Sequence, residues 1–249
     1  MKKLLVFLCA MFVGTICFAH TINWHVGDQI ISTTTCDSGD TITPPTAPAK
    51  YGYTFVGWGS YLQLEYIEST GTQYIDTGQT FTKDYKFEFR TRLLRYDGIV
   101  FGANSNGYEV CFGYYYNDRN HLGGLFTYEW QTNKDYDVIL DLANTSDNLK
   151  LIVNSSVIRN ISGDTNNKKF YLFGGIYNGN SQKIDKYAVQ RYYSFNTYNK
   201  IGLLQNLIPV RRIADNVVGM YDTVSGQFFT NAGTGEFIAG PVVGVLNVE

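Results

Sequence analysis

Apolar and polar side chains alternate without a break over residues 85–93. Tyr85, Phe87, Phe89, Thr91 and Leu93 share one face, and Lys86, Glu88, Arg90 and Arg92 share the other. Successive side chains point to opposite faces of a strand, so this pattern predicts a strand with one buried and one wet face. Residues 138–142 and 149–153 predict a hairpin across Asn144-Thr-Ser-Asp-Asn148. Shorter apolar or aromatic runs at 61–67, 74–76, 98–102, 109–115, 170–174, 189–198 and 226–229 lie between Gly and Asn turns. No stretch keeps a helical apolar period for three turns. The 20 Tyr and 16 Phe strengthen the picture, because aromatic and β-branched runs favour strands. So many short strands predict an all-β chain, an antiparallel two-sheet sandwich of jelly-roll type.

The first nineteen residues break that pattern. Lys2 and Lys3 precede an uncharged apolar run over 4–18, and Cys17-Phe18-Ala19 puts small residues where a signal peptidase reads. Residues 1–19 therefore read as a cleavable secretion signal, with His20 as the new N-terminus. The run falls short of the ~20 apolar residues of a spanning helix. Ile16 stands where a lipobox wants a small residue. The apolar end, 241–249, is too short to cross a membrane and reads as a C-terminal tail. The expectation is a protein secreted or held in the cell envelope or periplasm, with no transmembrane span after cleavage.

Charge narrows the partners. Twenty Lys and Arg stand against 22 Asp and Glu, a net charge of −2 before Lys2 and Lys3 are removed. Nucleic-acid binders cluster basic residues, and here the pair of note is Arg211-Arg212, in what reads as a solvated turn. Nucleic acid is set aside. Cys36 and Cys111 are the mature cysteines. Export permits a disulfide between them, and two buried or idle thiols is the other reading. They make no zinc site without ligand-spaced histidines.

A boundary falls near Trp58-Gly59-Ser60, after a segment holding Pro44, Pro45 and Pro48, three of the five prolines. Residues 20–59 form a small module and 61–240 a large β domain. The module carries Ile22-Asn-Trp24, Gly39-Asp-Thr-Ile42, Pro45-Thr-Ala-Pro48 and Gly52-Tyr-Thr-Phe-Val-Gly-Trp58. In these strings it resembles the small β-grasp-like repeats of bacterial surface proteins, the Listeria–Bacteroides or internalin B-repeat type. That resemblance implies a spacer. The large domain opens with Glu65-Tyr-Ile-Glu-Ser-Thr-Gly-Thr-Gln-Tyr-Ile-Asp-Thr-Gly78. It closes with Ile208-Pro209, Gly219-Met-Tyr-Asp222 and Phe228-Phe-Thr-Asn-Ala-Gly-Thr-Gly-Glu-Phe237. These are similar to the ends of concanavalin A-like, laminin-G-like jelly rolls of gut bacterial and phage proteins. Val210 stands where that group often has Cys. The resemblance implies two curved antiparallel sheets, and much less about function, because the fold serves lectins, hydrolases and spacers alike.

No catalytic residue is expected. The Glu-x-Asp-x-x-Glu string of glucanases on this fold is missing. Asp135-Tyr-Asp137 has the spacing for two carboxylates on one strand face but lacks a third acid, and reads as a solvated turn. Asp76-Thr-Gly78 has no second copy to make an aspartic-protease dyad. His121 is the one histidine of the large domain, with no Gly-x-Ser-x-Gly turn to serve. Sugar binding is the activity the residues favour. Tyr114, Tyr115, Tyr116, Asn117 and Asp118, followed by Trp130, supply rings to stack on a sugar face and polar groups for its hydroxyls. Filling a wide core is the competing role for those rings. No cofactor or metal is expected. The laminin-G-like resemblance leaves calcium as an option, with oxygens from Asp97, Asn117 and Asp118. The expected role is a non-catalytic surface or adhesion protein whose partner is a glycan or a surface protein. A glycan hydrolase on the same fold and a structural envelope component are the alternatives.

Overall fold

The computed structural model describes residues 20–26, 29–37, 40–46, 48–49, 51, 59–80, 82, 84–96, 98–102, 111–114, 120–122, 125–126, 130–142, 149–161, 169–176, 184 and 186–246. Residues 1–19, the expected signal, lie outside them. The chain divides into two units, Met1–Trp58 and Gly59–Glu249. In the first, β1 (His20–Val26) and β2 (Gln29–Cys36) pair as an antiparallel hairpin. Trp24 Nε1 donates to Thr34 Oγ1 across it at 2.9 Å. Cys36 is a free thiol.

The second unit is all-β, with no helix among the described residues. Its strands begin with β3 (Tyr61–Leu64), β4 (Ile67–Glu68), β5 (Ile75–Thr80), β6 (Lys86–Leu93) and β7 (Gly98–Gly102). Then come β8 (Cys111–Tyr114), β9 (Asn120–Leu122), β10 (Leu125–Phe126), β11 (Asp135–Asp141), β12 (Leu149–Val153) and β13 (Ser156–Ile161). β14 (Lys169–Leu172), β15 (Gly174–Gly175), β16 (Lys186–Tyr187), β17 (Gln190–Tyr198) and β18 (Leu203–Arg212) follow. The series ends with β19 (Val218–Asp222), β20 (Phe228–Thr230), β21 (Ile238–Ala239) and β22 (Val242–Leu246). The smaller sheet runs β10-β9-β8-β7-β14-β5. The larger runs β13-β12-β11-β6-β17-β18-β19-β20, with β3, β4, β21 and β22 joined beside β17 and β18.

β6 shows why the sheets pack. Its inward residues Phe87, Phe89, Thr91 and Leu93 are buried, as the alternation predicts. Phe87 meets Phe170 of β14 at 5.2 Å, joining the two sheets through the core. Phe89 stacks on Phe195 at 5.4 Å. Each such ring contributes roughly 1.5–3 kcal/mol on burial. A polar link crosses the same core: Gln190 Nε2 and Tyr192 Oη both donate to Val100 O, at 3.0 and 2.9 Å. Burial pushes the Tyr192 phenol well above its ordinary pKa, so it stays a donor.

Two expectations are corrected. Residues 242–246 are not a tail but β22, paired antiparallel with β3. Valines beside an open strand edge pair readily, and Glu65 N reaches Pro241 O at 2.8 Å. Arg211-Arg212 is not a turn but the end of β18, opposite Leu62 and Tyr61. Pro209 lies inside β18, where the ladder passes from β17 (ending at Leu207) to β3 (starting at Val210). A residue without an N–H is tolerated at such a handover.

The two ends of the large domain meet through hydrogen bonds. Thr72 Oγ1 donates to Thr234 O at 2.8 Å, Gln73 Nε2 to Glu236 O at 3.0 Å, and Tyr74 N to Asn231 Oδ1 at 3.1 Å. These are the opening and closing strings that carry the jelly-roll resemblance.

Candidate functional site

The outward face of the larger sheet is built from the polar half of the β6 alternation. Register places Glu68 of β4, Arg191 of β17, Arg92 of β6 and Asp135 of β11 in one transverse row, each directly opposite the next. The row reads minus, plus, plus, minus across four strands. Arg191 Nε donates to Glu68 Oε2 and Arg92 Nε to Asp135 Oδ1, both at 2.6 Å. In the next row Arg90 faces Asp137 and Ser194. Two rows further on, Lys86 lies opposite Tyr198 and Asp141.

Tyrosines stand among these charges. Strand β17 carries a bulge between Tyr192 and Ser194. Tyr192 stays in the core, and the extra residue leaves both Tyr193 and Ser194 on the outward side before Phe195 returns to the core. Tyr193 Oη donates to Asp135 Oδ1 at 2.9 Å. Its ring meets Tyr66 edge-on at 5.6 Å. The Arg191 guanidinium lies 4.1 Å over Tyr66, Arg90 lies 5.3 Å over Tyr193, and Lys86 Nζ lies 4.3 Å over Tyr198. Stacking of this kind holds ring and cation in one orientation.

The electrostatics favour ordered charge over proton transfer. The Arg92 hydrogen bond, helped by Tyr193 and Arg90, lowers the Asp135 carboxyl to about 2, against the opposing effect of burial. Asp135 is therefore ionised at neutral pH and cannot serve as a general acid there. The Tyr193 phenol is pushed up by burial and then by Asp135. The face offers half-buried rings, guanidinium donors and fixed carboxylate acceptors. That is the equipment to hold a polar ligand.

Of the sequence-expected ligand set, Trp130 alone has a described side chain. Trp130 is a core residue, 3% exposed, with its ring 4.4 Å from Tyr136. Its indole belongs to the core cluster, the competing role for these rings. Tyr114 ends β8, and its side chain lies outside the described residues, as do Tyr115, Tyr116, Asn117, Asp118 and the calcium candidate Asp97. The Cys111 and His121 side chains lie outside them too. Asp135-Tyr-Asp137 is corrected from a solvated turn to the start of β11, with Asp135 bound by two arginines and a tyrosine. Among the described residues, no group of three or more His, Cys, Asp or Glu could hold a metal ion. Sequence reasoning missed Glu68, Tyr66, Arg191 and Tyr193. The wet face of 86–92 was a signal for this surface, but the bulge at Tyr193 and Ser194 leaves no mark on a period-two pattern.

No protein-family model matches the sequence, and neither does any curated protein. The chain is similar in fold to the crystal structure of a candidate carbohydrate-binding protein from Bacteroides ovatus, with a TM-score of 0.50 and 12% identity. The likeness covers 73% of this chain and 61% of that one. The chain thus spans about three fifths of that protein's length. At this identity the likeness shows the fold, an all-β sandwich.

Proposed function

We propose that this protein is a secreted, non-catalytic glycan-binding module whose ligand lies on the outward face of the larger sheet. The observation that carries this reading is Tyr193, outward at a bulge and set between Tyr66, Arg90 and Asp135. A sugar ring presents a C–H face to an aromatic ring and hydroxyls to charged donors and acceptors, and this surface supplies both. The candidate carbohydrate-binding role of the structure with the same fold supports the same class of ligand. The signal-like residues 1–19 support export.

A glycan array with the mature protein tests the reading. Wild type is expected to bind at least one glycan, and Tyr193→Ala to weaken it about tenfold, the loss of ~1.4 kcal/mol. A second arm carries Tyr115→Ala with Tyr116→Ala. If that variant loses binding while Tyr193→Ala keeps it, the site belongs to the 114–118 run. No binding to any glycan, with or without calcium, ends the proposal, and release of new reducing ends from a bound glycan ends its non-catalytic part.

A further inference from the structure

A second tyrosine surface lies on the other side of the sandwich. Ile75 and Leu172 point into the core, so their strand neighbours Tyr74, Asp76 and Tyr171 point outward from the smaller sheet. Tyr74 and Tyr171 meet edge to face at 5.7 Å and 89°, and Tyr187 lies 6.3 Å from Tyr74. We propose that these three tyrosines form a second binding surface, independent of the Tyr193 face, for the ring of an uncharged sugar. The site does not depend on the Tyr193 reading; only its ligand class rests on the proposed glycan binding.

The chemistry differs from that of the first face. Among the described residues no cation lies over any of these rings, whereas Tyr66, Tyr193 and Tyr198 are each covered by one. The perpendicular pair makes a corner in which one ring is floor and the other wall, a shape that takes the C–H face of a pyranose. The Tyr74 and Tyr171 hydroxyls make no hydrogen bond among the described residues, so each keeps a donor and an acceptor for a ligand hydroxyl. Burial pushes both phenols up, so they remain donors at neutral pH. Asp76 is directly opposite Tyr171 and is paired with Lys169 at 3.3 Å. This acid and this base cancel, so the pair offers no net charge to select an ionic ligand.

Space and stiffness complete the case. On its other side Tyr171 faces Gly102, which has no side chain to cover the ring. Gly78, with φ +75°, has open space where a Cβ would stand. Tyr74 is held from both sides of its backbone: its N donates to Asn231 Oδ1 at 3.1 Å, and its O accepts from Ala232 N at 2.9 Å. Rings fixed in advance lose little entropy on binding.

Affinity electrophoresis separates the outcomes. The probes are neutral xyloglucan and galactomannan, with acidic polygalacturonate for contrast, run at low and high salt. Wild type is expected to be retarded by a neutral polysaccharide equally at both salt levels. Tyr171→Ala is expected to weaken that retardation about tenfold (~1.4 kcal/mol). Tyr171→Phe, which keeps the ring, is expected to weaken it less, and Tyr193→Ala to leave it in place. Tyr171→Thr removes the ring with a strong strand former, should the alanine variant not fold. Neutral retardation lost in Tyr193→Ala but untouched in the Tyr171 variants overturns the second surface and leaves the first standing. Neutral retardation lost only in the Tyr171 variants upholds this surface and leaves the first to the glycan array. No retardation by any probe overturns both.

Discussion

Arg191 and Arg92 stand directly opposite one another on β17 and β6, and each guanidinium is bound by a different acid. Like charges across an antiparallel pair repel. Glu68 and Asp135, on the outer strands of the row, are what allow the two arginines to share it. The central pair is half-buried, so the surrounding water screens it only in part.

Neutralising one acid exposes that repulsion. Asp135→Asn is expected to lower unfolding free energy by about 1–2 kcal/mol in urea titrations. Adding Arg92→Gln is expected to recover part of the loss, because the second change removes the charge left unpaired. Simple additivity of the two changes would show that the row is not coupled.

The same carboxylate makes stability depend on acid. Its folded pKa of about 2 lies below the ordinary 3.8. A depressed pKa adds stability that is fully present above the unfolded value and is lost as pH falls through the folded one. Wild type is therefore expected to lose roughly 1–2 kcal/mol more than Asp135→Asn between about pH 4 and pH 2. Parallel stability curves for the two proteins over that range would rule the linkage out.

What was legible in the sequence was whatever repeats with period two. Phe87, Phe89 and Leu93 marked the core face and Arg90 and Arg92 the wet face, and the 149–153 arm of the hairpin falls where it was expected. Positions set by partners far along the chain were not legible. Pro209 has no N–H to give a ladder, yet β18 continues through it because its neighbour changes there. Val242 and Val245 looked like a tail because the edge of β3 that receives them lies some 180 residues earlier, at Leu64 and Leu62. Trp130 looked like a surface ring because aromatic side chains serve cores and ligands equally well. Tyr193 could not be assigned a face, since one bulge residue inverts the alternation beyond it.

A buried polar pair gives a stabilising substitution. Thr197 and Gln205 lie opposite one another on β17 and β18, and both are buried. Thr197 Oγ1 and Gln205 Oε1 have no hydrogen-bond partner among the described residues. Thr197→Val keeps the shape and removes an unsatisfied hydroxyl. It is expected to raise stability by ~1 kcal/mol in urea unfolding. A loss of similar size would instead mean that the hydroxyl is bonded through an internal water.

Gln73 closes the seam between the two ends of the large domain. Its Oε1 accepts from Thr70 N at 2.9 Å and Ser69 Oγ at 3.1 Å, while Nε2 donates to Glu236 O at 3.0 Å. The side chain is 2% exposed, so its loss leaves buried groups without partners. Gln73→Ala is expected to cost about 2–4 kcal/mol. The loss should be local as well as global. The Ala232 and Thr234 amides donate to Tyr74 O and Thr72 O across this seam, at 2.9 and 3.1 Å. In hydrogen exchange these two amides are expected to lose protection before those of the β6–β17 ladder, because a loosened seam opens without unfolding the core. Equal loss of protection at both places would make Gln73 a residue of the whole domain's stability and not of its closure.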